Sequence, residues 1–76
     1  MKYKDLNENI IKLIGGKENI KSVAQCVTRL RFTLNDRSIA QTEEIKKLKG
    51  VIDVVSNDVA YQIIIGTHVV DVYNEF

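Results

Sequence analysis

The sequence contains no proline, a single cysteine and almost no excess charge of either sign. The cysteine, Cys26, cannot form a disulfide within the chain, and no stretch resembles the apolar region of a secretory signal, so we expect a reducing, cytoplasmic compartment. Eleven Lys and Arg against ten Asp and Glu leave a net charge of +1, which provides no global attraction for nucleic acid or an anionic membrane. The longest apolar run, Ile63 to Ile65, is far shorter than the roughly 20 residues of a membrane-spanning helix. These absences predict a soluble chain in which any function of basic residues is local.

The length of 76 residues fits one domain with one hydrophobic core. A content of 45% hydrophobic and 28% charged residues is typical of globular proteins and unlike a disordered segment. No internal repeat or low-complexity tract divides the chain. Residues 1–76 are therefore expected to fold unaided as a single domain.

Hydrophobic spacing predicts three helices and four strands in the order αββαββα. The helical stripes are Leu6, Ile10, Leu13 and Ile14, then Ile45 and Leu48, then Val69, Val72, Tyr73 and Phe76. The predicted strands are Ile20–Val27, Arg29–Leu34, Val51–Val55 and Ala60–Ile65. The expected caps are Asp5 or a neighbour, Ser38 or Thr42, and Thr67, with Gly15-Gly16 and Gly50 ending the first two helices.

This order predicts an open α/β sandwich. Two hairpins interrupted by helices favour a four-stranded, mainly antiparallel sheet, and a sheet this small must bury one face, here beneath the three helices. Apolar and polar residues alternate along Arg29–Leu34. We therefore expect Leu30, Phe32 and Leu34 in the core and the arginines on the opposite face.

Cys26 is followed closely by two arginines, Arg29 and Arg31. A thiol reacts as its thiolate, and nearby cations favour that anion. A tight turn at Val27 and Thr28 would fold the next strand back and bring both guanidinium groups toward the sulfur. The turn amides and the Thr28 hydroxyl would then add donors for a phosphate. The alternative is that Cys26 is a small buried hydrophobe beside solvated arginines, and spacing alone leaves both interpretations open.

Three other classes of function fit the residues poorly. A cysteine-dependent phosphatase needs an arginine six positions after its nucleophile, and that position holds Phe32. One cysteine and one histidine, Cys26 and His68, fall short of the ligands of a zinc site. A sheet-based RNA module would need Phe32 on the exposed face, whereas the alternation assigns it to the core. We therefore expect no metal and no nucleic-acid partner.

Five segments occur in the order and approximate spacing of a known family. They are GGKENI (15–20), CVTRLRF (26–32), GVIDVV (50–55), YQIIIG (61–66) and HVVDVY (68–73). Through them the chain resembles, over nearly its whole length, the IIB domains of the glucose and sucrose branch of the bacterial sugar phosphotransferase system. The similarity is greatest to the β-glucoside subgroup, with trehalose and sucrose members close behind. The specific part is the C-x-T-R-L-R core with the later Q-x-x-x-G, and the family's four-stranded sheet agrees with the order predicted above.

The resemblance implies a phosphoryl carrier that needs no cofactor. Cys26 would accept a phosphoryl group from a histidine of a IIA domain and pass it to a sugar bound in the membrane-embedded IIC domain. Arg29 and Arg31 would be needed for the onward transfer. The phosphate site would be lined by Val27, Thr28 and Gln62.

The chain departs from the family at one position, and the resemblance also implies that the domain comes from a larger protein. Gln25 stands where family members often have histidine, which leaves the nucleophile in place but removes any role of that histidine. A regulatory module that kept the fold and lost phosphorylation is the alternative function. By analogy with the family, we expect a domain excised from a fused IIBC or IIBCA protein and held at the cytoplasmic side of the membrane, with sugar specificity determined mainly by IIC.

Overall fold

The computed structural model describes residues 2–76, and its helices and strands follow the predicted order. The helices are α1 (Lys4–Ile14), α2 (Thr42–Lys46) and α3 (Val69–Asn74). The strands are β1 (Ile20–Cys26), β2 (Arg29–Leu34), β3 (Asp53–Ser56) and β4 (Tyr61–Ile64). Two single turns of 3₁₀ helix, Lys17–Asn19 and Arg37–Ile39, precede β1 and α2. Within the described part of the chain, none of the helices combines the length and apolar character needed to cross a bilayer.

All four strands form one antiparallel sheet in the order β1-β2-β4-β3. Directly paired residues of antiparallel strands project to the same face, so Leu30, Ile63 and Val54 form one row and Phe32 and Tyr61 begin the next. All five are buried. The helices supply Ile10 and Ile14 from α1, Ile45 from α2, and Val69 and Val72 from α3 to the same core. The predicted open sandwich, with the helices on one face, is confirmed.

The strand boundaries differ from the prediction by one or two residues. β1 ends at Cys26 because Val27 already lies in the turn, with φ of 39°. β3 and β4 are Asp53–Ser56 and Tyr61–Ile64 rather than 51–55 and 60–65. Residues just outside these strands, such as Ala60 and Ile65, are nevertheless buried. The apolar sequence pattern therefore marks residues that pack in the core, and these extend beyond the hydrogen-bonded part of the strand.

The predicted side-chain caps are wrong. The helices begin after Tyr3, Gln41 and His68, and none of these side chains makes a capping hydrogen bond. At α3 the Gly66 carbonyl accepts the Val69 N–H at 3.1 Å, so the chain itself satisfies a donor that Thr67 was expected to cap.

The helix ends agree better with the prediction. α1 ends, as expected, at Gly15 in a left-handed conformation. α2 ends at Lys46, so Gly50 lies in a later turn, although Leu48 still packs against the core. Phe76 lies beyond α3, but its ring contacts that of Phe32 with the centroids 5.5 Å apart.

Tyr61 connects the sheet to α2 through its hydroxyl group. The Tyr61 and Thr42 hydroxyl oxygens lie 2.7 Å apart, within hydrogen-bonding distance. Burial raises the pKa of the Tyr61 hydroxyl, and the hydrogen bond to Thr42 partly opposes that effect. The ring therefore fills the core while its polar end is satisfied, as is usual for a buried tyrosine.

Asn19 is a buried polar residue that no sequence pattern indicated. Its Nδ2 donates to the carbonyls of Ile14 at 2.8 Å and Asp36 at 2.9 Å, and its Oδ1 accepts the Asp36 N–H at 2.9 Å. The Asn19 carbonyl accepts the Asn35 N–H at 2.9 Å. One side chain thereby joins the end of α1 to the loop that follows β2.

Replacing Asn19 with alanine is expected to lower the free energy of unfolding by about 2 kcal/mol, because three backbone polar atoms lose their partner. Urea denaturation measures this loss. The matched control is Asn9→Ala on the exposed side of α1, which is expected to change the free energy by less than about 0.5 kcal/mol. Equal effects of the two substitutions would contradict the structural role of Asn19.

Candidate functional site

The face of the sheet opposite the helices brings together the residues of the predicted site. One row across the four strands is Cys26, Arg29, Ile64 and Asp53, and the next is Ala24, Arg31, Gln62 and Val55. Arg29 is thus the direct cross-strand neighbour of Cys26, and Arg31 is a diagonal neighbour within reach of a long side chain. The thiol and both arginines share one face. The alternation in β2 predicted this face for the arginines, and the turn at Val27 and Thr28 was expected to bring the thiol to them.

Cys26 is the last residue of β1 and is exposed. The alternative of a small buried hydrophobe is therefore wrong. Gln25 pairs with Leu30 and projects toward the opposite face of the sheet. The side chain at position 25 therefore points away from the face that carries the thiol, so the replacement of histidine by glutamine gives no structural reason for a loss of thiol function.

The turn between Cys26 and Arg29 has an unusual backbone. Val27 has φ of 39°, and within residues 2–76 it is the one non-glycine residue with positive φ. This region is a genuine outlier for a β-branched side chain, and such conformations cost about 1–3 kcal/mol. The Val27 side chain is 88% exposed, so little packing offsets this cost.

Contacts from the end of β4 hold this turn. The Thr28 carbonyl accepts two hydrogen bonds, from the Ile65 N–H at 2.8 Å and the Gly66 N–H at 2.9 Å. No sequence pattern indicated this link, although Ile65 and Gly66 both belong to the conspicuous YQIIIG segment. The turn that carries the candidate nucleophile is therefore fixed by a segment nearly forty residues away in sequence.

The Arg29 guanidinium group contacts β4, whereas the sequence predicted that both guanidinium groups turn toward the sulfur. Its Nη1 donates to Oε1 of Gln62 at 3.3 Å, and Gln62 lies in β4, on the opposite side of β2 from Cys26. Gln62 is only 6% exposed, so it provides a fixed support beneath the guanidinium group. The bond uses one of the five N–H donors of arginine and leaves the others for an anion.

The positive charge of this face is not neutralised locally. Among residues 2–76, the ion pairs with carboxylates involve Lys4, Lys46, Lys47 and Arg37, not Arg29 or Arg31. Asp53 shares a row with Arg29 but is separated from it by β4. The face that carries the exposed thiol therefore also carries two arginines that have no carboxylate partner among the described residues, an arrangement suited to an anion.

The remaining candidates do not form sites. Phe32 is fully buried, so the RNA-binding alternative loses the aromatic surface that would stack on bases. His68 is exposed at the start of α3. The described residues contain no group of three His, Cys, Asp or Glu side chains able to hold a metal ion. Residues 2–76 also form no pocket, and the exposed Cys26 lies on the surface of the sheet.

Replacing Val27 with asparagine is expected to raise the free energy of unfolding by about 1 kcal/mol, because asparagine tolerates the left-handed region better than a β-branched residue. Urea denaturation with an unchanged slope measures the gain. Val59→Asn is the matched control, since Val59 is also in a hairpin turn and 80% exposed but lacks the positive φ. A gain of the same size at both positions would show that strain at Val27 is not its source.

Comparison with known proteins adds evidence from outside the chain. Residues 8–41 match the family described as phosphotransferase system, EIIB. The chain is 47% identical over 75 residues to the PTS system beta-glucoside-specific EIIBCA component of Halalkalibacterium halodurans, covering 99% of this chain and 12% of the relative. It is 44% identical over 71 residues to the PTS system sucrose-specific EIIBC component of Bacillus subtilis, covering 93% of this chain and 15% of the relative.

A solved structure has the same fold. It is the crystal structure of one domain of the PTS system IIabc component from Clostridium difficile, with a TM-score of 0.89 and 40% sequence identity. The match covers 97% of this chain and 78% of that one. By contrast, the chain spans only 12% and 15% of the length of the two curated relatives.

Proposed function

The chain belongs to the EIIB family of the sugar phosphotransferase system, and we propose that it acts there as a phosphocysteine carrier. Cys26 accepts a phosphoryl group from a histidine of a IIA domain and passes it to a sugar held by a membrane IIC domain. The observation that carries the proposal is the exposed thiol of Cys26 on the same face as Arg29 and Arg31. The relatives' names, EIIBCA and EIIBC, support IIA and IIC as the partners.

The proposed chemistry consists of two displacements at phosphorus. In the first, the Cys26 thiolate attacks, an S–P bond forms, the N–P bond of the donor breaks, and the histidine nitrogen keeps the electron pair. In the second, a sugar hydroxyl attacks, an O–P bond forms, and the thiolate leaves as the hydroxyl proton passes to a base of the acceptor. A thiolate serves both steps because it is a good nucleophile and can also leave. Neither step needs a cofactor.

The arginines supply charge for the transferred group. Phosphoryl transfer passes through a loose transition state in which charge spreads over three oxygens, so catalysis consists mainly of positioning and electrostatic stabilisation. In our proposal the guanidinium forks of Arg29 and Arg31 bind those oxygens, and their charge persists in every state of the cycle. The amides of Val27 and Thr28 and the Thr28 hydroxyl complete the donors around the sulfur.

Gln62 has two functions in this proposal. Its Oε1 holds the Arg29 guanidinium group, and its amide NH₂ is the remaining donor for a phosphoryl oxygen. Because residues 2–76 form no pocket, the partner must enclose the reacting group and bind the sugar. We propose a β-glucoside, sucrose or trehalose as that sugar, because relatives are named for these three sugars. Association with IIC would hold the domain at the cytoplasmic side of the membrane.

Incubating the chain with the phosphorylated IIA domain of a β-glucoside EIIBCA relative is expected to place one phosphoryl group on Cys26. The label is expected to be released by iodine, because the bond is a thiophosphate ester. Cys26→Ser should accept none, since a serine hydroxyl of similar size lacks the thiolate. Absence of label on the native chain, or its persistence on Cys26→Ser, would falsify the proposed function.

Arg29→Lys and Arg31→Lys are each expected to slow transfer from phosphorylated Cys26 to sugar about a hundredfold, because lysine keeps the charge but loses the planar fork. Sugar phosphate formed in membranes containing IIC measures this step. Arg37→Lys is the control, since Arg37 pairs with Asp58 at 2.9 Å outside the site. Native rates in both site variants would remove the arginines from the mechanism.

A further inference from the structure

The Val27–Thr28 turn needs support from outside its own sequence. Two-residue hairpin turns favour Asn-Gly or a glycine at positions of positive φ, whereas this one places a valine at φ of 39°. The exposed Val27 side chain cannot provide that support. A strained backbone persists only where its surroundings determine it, and the surroundings here are the two amides that bind the Thr28 carbonyl.

Those two amides belong to consecutive residues. Successive N–H groups of an extended strand point to opposite sides, so Ile65 and Gly66 can both donate to Thr28 only where the chain leaves the strand. Ile65 is fixed in the core at 5% exposure. Gly66 then turns the chain with φ of 95°, and its carbonyl accepts the Val69 N–H at 3.1 Å, which begins α3.

Position 66 must donate its N–H to Thr28 and turn the chain into α3, and glycine can do both. Its N–H stays on Thr28 while its positive φ, which L residues rarely adopt, directs the chain into α3. A Cβ added here would lie 3.2 Å from Cδ1 of Ile52. Ile52 is 68% exposed, so its side chain can move, and backbone conformation is the main obstacle to substitution.

We propose that Gly66 is a positioning residue for phosphoryl transfer, which keeps the Val27–Thr28 turn, and with it the Cys26 sulfur and the turn amides, aligned with the arginines. This inference rests on the proposed function of Cys26. In Gly66→Ala the backbone moves toward negative φ, the hydrogen bond to Thr28 lengthens and the turn relaxes. Small displacements of reacting groups slow transfer strongly, by as much as about a hundredfold for 1 Å.

The test compares three chains of residues 1–76 with the native one, each assembled from two synthetic segments joined at Cys26. The first is Gly66→Ala. The second has D-alanine at position 66, which adds a methyl group on the other side of Cα and accepts positive φ. The third has an ester oxygen in place of the Gly66 N–H, which removes the donor to Thr28 without adding a side chain. This third chain keeps the test decisive if Gly66→Ala fails to fold.

The measured quantities are the maximal rate of transfer from phosphorylated IIA to Cys26, the IIA concentration giving half that rate, and amide hydrogen exchange at Ile65. We expect a rate about tenfold or more below native in Gly66→Ala and in the ester chain, with the half-saturating concentration unchanged and exchange at Ile65 accelerated. The D-alanine chain is expected to stay within about threefold of the native rate, because D-alanine accepts the positive φ of position 66.

The outcomes separate this inference from the proposed function. If the native chain is never phosphorylated, both fail. If the native chain is phosphorylated and the ester chain matches its rate, the role of Gly66 is overturned while the function of Cys26 stands. If the D- and L-alanine chains slow equally, positive φ is not the reason for glycine, and the inference is also overturned.

Discussion

The register of β1 against β2, established by a turn of only two residues, is the constraint on which the arrangement of Cys26, Arg29 and Arg31 depends. Because Cys26 pairs directly with Arg29, the thiol lies on the same face as both arginines. The pairing of β2 with β4 then places Gln62 beside Arg31 and within reach of Arg29. A shift of β1 by one residue would place Cys26 on the core face and leave the arginines on the open face.

One face of β2 packs in the core, and the other carries the arginines of the candidate site. Leu30 and Phe32 are fully buried beneath the helices. The burial of this core stabilises the fold and offsets the conformational strain at Val27. The opposite face is left open, with an exposed thiol and arginines that no carboxylate of residues 2–76 neutralises. An open, charged surface suits the proposed carrier role, in which two partners in succession would reach the same sulfur.

Much of this arrangement could be predicted from the sequence because it depends on local periodicity. The alternation in Arg29–Leu34 placed the arginines opposite the core, and the apolar stripes predicted the order of helices and strands. Contacts between distant segments could not be predicted in this way. The Thr28 carbonyl meets Ile65 and Gly66, and the Asn19 side chain meets Asp36, through pairings that neither periodicity nor propensity encodes. Propensity even opposed the observed φ of Val27.

In the proposed function, phosphorus bonds to the Cys26 sulfur on this open face. Phosphorus NMR of the native chain, separated from IIA after the transfer, tests this bond directly, because S–P and N–P bonds give distinct resonances. We expect a single thiophosphate ester resonance. A phosphohistidine resonance, which would place the group on His68, the one histidine of the chain, would contradict it.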